Sequence, residues 1–208
     1  SRGLGDVYKR QVLCKHCQHY AIAMKTYHHG NLKKELIKCA CVMCERDGYT
    51  KLSIRSLAKE SKVSQTAPYR HFKTKEDLYA AIVKEGFDKL NKKMMSIKIK
   101  DSKNYLIGCG KTYIDFGLNN ANTYDLMFGT AVGNYADYPD LSESANNLFQ
   151  FLLSIYMKLS DYDEEILAFK CITLWSMVHG LVGIIRKVNI AGDGSKDGPM
   201  PFANQISK

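Results

Sequence analysis

The chain of 208 residues has no uninterrupted apolar run approaching the ~20 residues of a membrane-spanning helix. Its first residues lack the apolar h-region of a secretory signal, so no export or membrane anchoring is expected. It carries no Gly-rich phosphate loop, no H-E-x-x-H and no G-x-S-x-G nucleophile elbow, which removes the familiar signatures of nucleotide hydrolysis, zinc peptidases and serine hydrolases. No internal repeat is present.

What is present is the composition of a globular protein. Hydrophobic residues make up 45% of the chain, enough for one sizeable core or two small ones. The net charge of +9 is unevenly spread: residues 24–100 hold 18 Lys+Arg against 8 Asp+Glu, a balance of +10, whereas residues 101–208 hold 8 against 12, a balance of −4. A basic first part followed by a mildly acidic second part points to phosphate contact by the first part only; a solvated lysine-rich surface is the plainer alternative.

Residues 1–23 show neither a helical nor a strand period. Cys14-x-x-Cys17 with His16 and His19 could be read as zinc ligands, but no second C-x-x-C or spaced His pair completes a four-ligand site. The expectation is a non-native or disordered leader before a natural start at Met24, with no metal bound. The other cysteines, Cys39, Cys41, Cys44, Cys109 and Cys171, fall in helical patterns and read as small buried thiols in a reducing cytoplasm. A redox switch through Cys41 and Cys44, one helical turn apart, is the alternative.

The most informative stretch runs from Val63 to Phe72, V-S-Q-T-A-P-Y-R-H-F. The pattern predicts a short helix capped by Ser64, with Pro68 and Phe72 on a docking face and Gln65, Thr66, Tyr69 and Arg70 on a face offered outward. Before it, Ser53 caps a second short helix with an apolar stripe of Ile54, Leu57 and Ala58. Residues Lys62 to Ser64 separate the two. Helix, tight turn and capped helix is the arrangement that puts the second helix into a DNA major groove. At Ser53 to Leu78, with Y-R-H-F followed by K-T-K-E-D-L, the sequence resembles the DNA-binding domain of the tetracycline-repressor (TetR/AcrR) family. Lys62 departs from that family's pattern, which usually has glycine where the turn needs a left-handed residue; lysine there costs up to ~1 kcal/mol without forbidding the turn.

From Met24 onward the chain reads as helices throughout. The first opens at Asn31 and runs to about Asp47, ended by Gly48. The basic arm Lys25 to Gly30 before it reads equally well as a backbone contact or a solvated end. Thr74, with Asp77 three residues on, caps a helix reaching about Met95. Helices are expected from Asn104 to Leu118, Thr123 to Phe128, Ser142 to Leu159 and Asp163 to Val188, with Asn119 to Asn122 as punctuation and Gly129 to Pro139 as a loop or broken helix. Gly192 to Pro201 reads as a flexible connection, and Phe202 to Lys208 as a short terminal helix. Trp175-Ser176-Met177-Val178-His179-Gly180 resembles the W-x-x-x-H-G pattern of one group of TetR-family ligand domains. A histidine on such an apolar helix is more often a satisfied core residue than a functional one.

The resemblance implies an all-α fold: residues 24–73 as a three-helix helix-turn-helix domain, then residues 74–208 as an antiparallel bundle for effector binding and dimerisation, connected by the helix over 74–95. It implies a cytoplasmic homodimeric regulator, usually a repressor, that leaves a palindromic operator in double-stranded DNA when a small molecule binds. Gln65, Thr66 and Ala67 match family positions facing base edges; Tyr69, His71 and Lys75 match phosphate-contact positions; Arg70 could serve either, and Ser53 belongs to the same set. Tyr113, Phe116, Met127, Phe128, Trp175 and His179 are candidates for an aromatic or lipophilic effector, though the same residues suit a core. Phe149, Leu152, Met177, Leu181 and Ile184 are candidates for a seam between two copies, favoured by the close approach that Gly180 and Gly183 allow. No cofactor is expected. Competing readings are an effector-independent architectural DNA-binding protein, to be discriminated by whether a closed pocket exists, and an enzyme using His179 as base, for which no nucleophile or paired carboxylate stands at a recognisable spacing.

Overall fold

The computed structural model describes residues 32–191, so the expectations for the leader, the basic arm and the segments after Gly192 lie outside the described residues. Seven α-helices and no strands occur among the described residues. Helix α1, Leu32–Asp47, buries Leu36, Ala40 and Cys44 at helical spacing and ends where Gly48, at φ +83°, donates its N–H to the Cys44 carbonyl at 2.9 Å. Helix α2, Ile54–Glu60, starts in a reciprocal cap: the Ser53 side chain accepts from the Ser56 N–H, and the Ser56 side chain accepts from the Ser53 N–H.

The exit from α2 shows why lysine is tolerated at position 62. Val63 N–H donates to the Ala58 carbonyl at 3.1 Å and Lys62 N–H to the Lys59 carbonyl at 3.2 Å, the paired bonds of a Schellman ending. Such an ending needs a left-handed residue at its C′ position, and Lys62 supplies it at φ 54°.

Helix α3, Lys75–Met95, begins in a Thr74–Asp77 reciprocal cap, as the sequence pattern predicts. Helices α4, Ser102–Asn119, and α5, Ala121–Phe128, are separated by Asn120 alone, so the expected punctuation over four residues shrinks to one. A loop with a 3-10 turn over Tyr135–Asp137 leads to α6, Pro139–Met157. Pro139 extends α6 beyond the expected start because its missing N–H costs nothing in a first turn. Helix α7 spans Glu164–Ala191.

Helix α3 is the organising rod: α1, α4, α5 and α6 all pack on it. One continuous core results, in which Leu36 and Phe72 belong to the same cluster as Phe87, Phe116 and Leu126. Close approach needs glycine at two crossings. A Cβ on Gly86 would lie 2.5 Å from Met127 Sδ, where α3 meets α5, and one on Gly117 would lie 2.6 Å from Val182 Cγ1, where α4 meets α7.

By length and composition the 24 residues Glu164–Lys187 are apolar enough to cross a membrane, although the sequence holds no uninterrupted apolar run of that length. Lys170, Thr173, Ser176 and His179 interrupt the apolar run without removing its apolar character, which is why no continuous run is visible in the sequence.

Candidate functional site

The stretch expected as a capped α-helix forms instead two linked turns, ending in a 3-10 turn over Pro68–Arg70. The reason is local. Pro68 has no N–H, so the Ser64 carbonyl cannot accept the i+4 bond of an α-helix; it accepts from the Ala67 N–H at 3.0 Å, one residue earlier. The Ser64 hydroxyl caps no amide and lies 3.3 Å from the Thr66 hydroxyl. The two faces nevertheless form as the pattern predicts. Pro68 and Phe72 are buried, Phe72 contributing ~2–3 kcal/mol of apolar burial. Gln65, Thr66, Tyr69, Arg70 and His71 are exposed, Tyr69 at 46%, and Ala67 is half-buried among them.

Between residues 53 and 76, Arg55, Lys59, Lys62, Lys73 and Lys75 are also exposed, against Glu60 and Glu76, so the segment that carries the outward polar face has an excess of exposed positive charge. Lys75 is held in place: its Nζ donates to the Thr50 carbonyl at 3.2 Å and lies 5.2 Å from the centre of the Tyr79 ring. The Ser53 side chain is half-buried and occupied with capping α2.

In the bundle, a cavity of about 520 Å³ lies between α3, α4, α5, α6, α7 and the loop before α6. Four of the six residues expected there line it: Tyr113, Met127, Phe128 and Trp175. Phe116 is withdrawn into the core, fully buried, and His179 stands outside the lining, behind Tyr113. Phe149 and Leu152, expected at a seam between copies, line the cavity instead, because they lie on the inward side of α6. Of the other seam candidates, Met177 is 66% exposed and Ile184 42%, and Leu181 is half-buried. Added Cβ atoms on Gly180 and Gly183 would meet nothing within 4 Å, so these glycines serve no close contact among the described residues.

Polar groups behind the cavity wall form a chain. Trp175 Nε1–H donates to the Tyr113 hydroxyl at 2.9 Å, the Tyr113 and Tyr124 hydroxyls are 3.2 Å apart, and Tyr124 Oη lies 2.6 Å from His179 Nδ1. With Nδ1 as acceptor, the Trp175 N–H and both tyrosine hydroxyls can all donate within the chain. Burial agrees with that assignment, since it pushes the His179 pKa down and both tyrosine pKa values up, favouring neutral groups throughout.

Nothing in the sequence pattern signals what ties this bundle to the first helices. Glu45, on α1, accepts from the Asn122 N–H at 3.3 Å, the Thr123 N–H at 3.1 Å and the Thr123 hydroxyl at 2.8 Å. Its own carbonyl accepts from Asn122 Nδ2 at 2.8 Å. The carboxylate thus caps α5 from another helix, where unpaired amides and the helix dipole both favour an anion. Phe87, Tyr135 and Asn146 were likewise missed in the cavity wall, and each comes from a different element. A redox role for Cys41 and Cys44 finds no support: burial pushes both thiols up to about 12, so little thiolate exists near neutral pH.

Comparison with known proteins agrees with this geometry. Residues 36–82 match the model of bacterial regulatory proteins of the tetR family, and residues 106–194 match the tetracyclin repressor-like C-terminal domain. No protein with a curated description matches the sequence. Among solved structures, a Rhodococcus sp. RHA1 protein of unknown function is similar at TM-score 0.64 and 22% identity, over 88% of this chain and 94% of that one. A single-residue variant of TetR from Acinetobacter baumannii AYE, solved with minocycline, is similar at TM-score 0.58 and 18% identity, over 84% and 88%. AibR in complex with isovaleryl coenzyme A and operator DNA is similar at TM-score 0.53 and 15% identity, over 84% and 93%. With a turn segment after α2 that buries Pro68 and Phe72 and presents Gln65, Thr66, Tyr69 and Arg70, and with family models matching both that part and the cavity-bearing bundle, the chain belongs to the TetR family of DNA-binding transcriptional regulators.

Proposed function

We propose that this chain acts as a homodimeric repressor that holds a palindromic operator and releases it when a small molecule occupies the 520 Å³ cavity. One observation carries the reading: α3, capped by Thr74, begins at Lys75 shortly after the outward polar face and places Phe87 in the cavity wall, so one continuous helix reaches from the reading segment to the cavity. A second tie runs through Glu45 and α5, which supplies Met127 and Phe128 to the same wall. A ligand that favours one position of α5 and α3 therefore biases the orientation of the reading segment, through its different affinity for the two states. The solved relatives with minocycline, and with isovaleryl coenzyme A and operator DNA, support this combination of ligand and DNA.

In this reading Gln65, Thr66 and Ala67 face base edges, while Tyr69, His71 and Lys75 meet phosphates; Arg70 is placed to meet either. The pinned Lys75 suits a fixed phosphate contact. Two copies join through the exposed side of α7, where Ile166, Phe169, Thr173, Met177, Gly180 and Ile184 recur at three- and four-residue steps, with Phe169 70% exposed. That seam holds two reading heads about 34–36 Å apart, one turn of duplex. The site of action is the cytoplasm, where the chromosome lies. The cavity supports a ligand role, although it is partly open to solvent, with Ile172 47% and Trp175 39% exposed, and so is not the closed pocket that would set aside a purely architectural DNA-binding role. An enzymatic role finds no support in His179, whose Nδ1 is taken up by tyrosine hydroxyls.

The test is fluorescence anisotropy on a duplex selected from a random pool, across a salt series. Affinity should fall steeply with salt. Tyr69→Ala should weaken selected and random duplexes alike, while Gln65→Ala should lower the preference for one base pair in each half-site by ~1–3 kcal/mol. Equal losses on both duplexes for Gln65→Ala would remove that residue from base reading.

A further inference from the structure

The cavity differs from its surroundings in one respect: among its lining side chains there is no Asp, Glu, Lys, Arg or His. Its polar groups are nearly all engaged. The Tyr113 hydroxyl receives the Trp175 N–H and sits between Tyr124 and His179, and the Tyr135 hydroxyl donates to the Met127 carbonyl. Burial pushes the Cys171 thiol up to about 11, which keeps it uncharged. The Asn146 amide, exposed and without a hydrogen-bond partner among the described residues, is the side-chain amide left to read a ligand.

Two ion pairs of the bundle stand clear of the cavity. Arg186 closes on Asp125 with two bonds, at 2.6 and 2.8 Å. Asp88 takes both the Lys84 ammonium at 2.6 Å and the Ser144 hydroxyl at 2.7 Å. None of the four charged groups lines the cavity. The carboxylate bonded to the wall, Glu76, stands outside the lining and is engaged by the Gly133 N–H at 2.9 Å, so a charged ligand inside would exchange its hydration for a lining without a charged side chain. Aromatic rings, by contrast, meet rings on several walls: Phe87, Tyr113, Phe128, Phe149 and Trp175.

We infer that the effector is an uncharged, largely aromatic molecule carrying one hydrogen-bonding group, which Asn146 reads, and that carboxylates, phosphates and ammonium compounds of similar shape are excluded. This rests on the reading of the cavity as a ligand site. A volume of about 520 Å³ falls within the ~300–1,000 Å³ usual for small-molecule pockets.

The experiment uses the full chain without DNA and three probes on one skeleton: naphthalene-2-carboxamide, naphthalene-2-carboxylate and naphthalen-2-ylmethylammonium. Binding is read by calorimetry and by the emission of Trp175, the chain's one tryptophan. The carboxamide is expected to bind at least tenfold more tightly than either ion. Asn146→Leu should remove its advantage over plain naphthalene, and Ala145→Trp, which takes up part of the cavity, should weaken binding while leaving the melting temperature within a few degrees. Equal or tighter binding of either ion, or binding of none of the three, overturns the inference. Because no DNA is present, a carboxamide that binds yet fails to release operator DNA would sink the proposed switch and leave the ligand class intact.

Discussion

Glu45 offers the sharpest test of how the two parts are joined. Replacing it with alanine removes an acceptor from the Asn122 and Thr123 amides and from the Thr123 hydroxyl, all within 3.3 Å in the structure. Hydrogen bonds to a charged acceptor are worth ~1.5–3 kcal/mol, and loss of a helix cap costs ~0.5–2 kcal/mol. These figures describe the same bonds and do not add, so we expect a loss of ~2 kcal/mol. For a chain of this size that lowers the melting temperature by about 4–8 °C. Glu45→Gln, which keeps an acceptor oxygen but not the charge, should lose about half as much. Differential scanning calorimetry reads both variants, and a cycle with Thr123→Val isolates the shared term. If Glu45→Ala melts at the same temperature as the parent chain, the carboxylate does not cap α5 in solution. If the variant is less stable yet its DNA is still released by ligand at the same concentration, the latch is structural only and α3 alone carries the coupling.

The remaining predictions concern the turn, the half-buried histidine and the seam. Lys62→Gly should raise stability by up to ~1 kcal/mol, seen as a higher thermal midpoint, because Lys62 sits at φ 54° in the left-handed region; a lower midpoint would mean that glycine's extra freedom in the unfolded chain outweighs the strain. His179 has its pKa pushed below the ordinary 6.5 by burial, so the unfolded chain takes up this proton at higher pH than the folded one. Its contribution is complete above pH 6.5, starts to fade as pH falls below that, and is gone below the folded pKa; His179→Gln should flatten that acid-side decline in melting temperature, and an unchanged decline would assign it to other groups. Ile184→Asp, on the exposed side of α7, should give monomers in sedimentation that remain folded but lose most operator affinity, whereas a parent chain that sediments as a monomer at micromolar concentration would remove the dimer from the mechanism.

The sequence by itself determined the features that depend on neighbours a few residues apart. The Thr74–Asp77 and Ser53 caps, the stop at Gly48, the left-handed turn at Lys62 and the two faces around Pro68 and Phe72 all follow from local hydrogen bonding and helical spacing. Local chemistry also explains the one departure there, since the missing N–H of Pro68 turns an expected α-helix into a 3-10 turn. Tertiary structure decided whatever joins distant residues. Whether an apolar side chain of α6 faces a neighbouring copy or a cavity is a matter of how the helix is rotated in its packing, and that rotation put Phe149 and Leu152 inside. Glu45 and Thr123 are 78 positions apart, and no periodicity along the chain signals that a carboxylate on one helix will cap another. The same holds for the Trp175–Tyr113–Tyr124–His179 chain: each residue fits a core pattern alone, and only the crossing of α4, α5 and α7 makes them a continuous line of donors and acceptors.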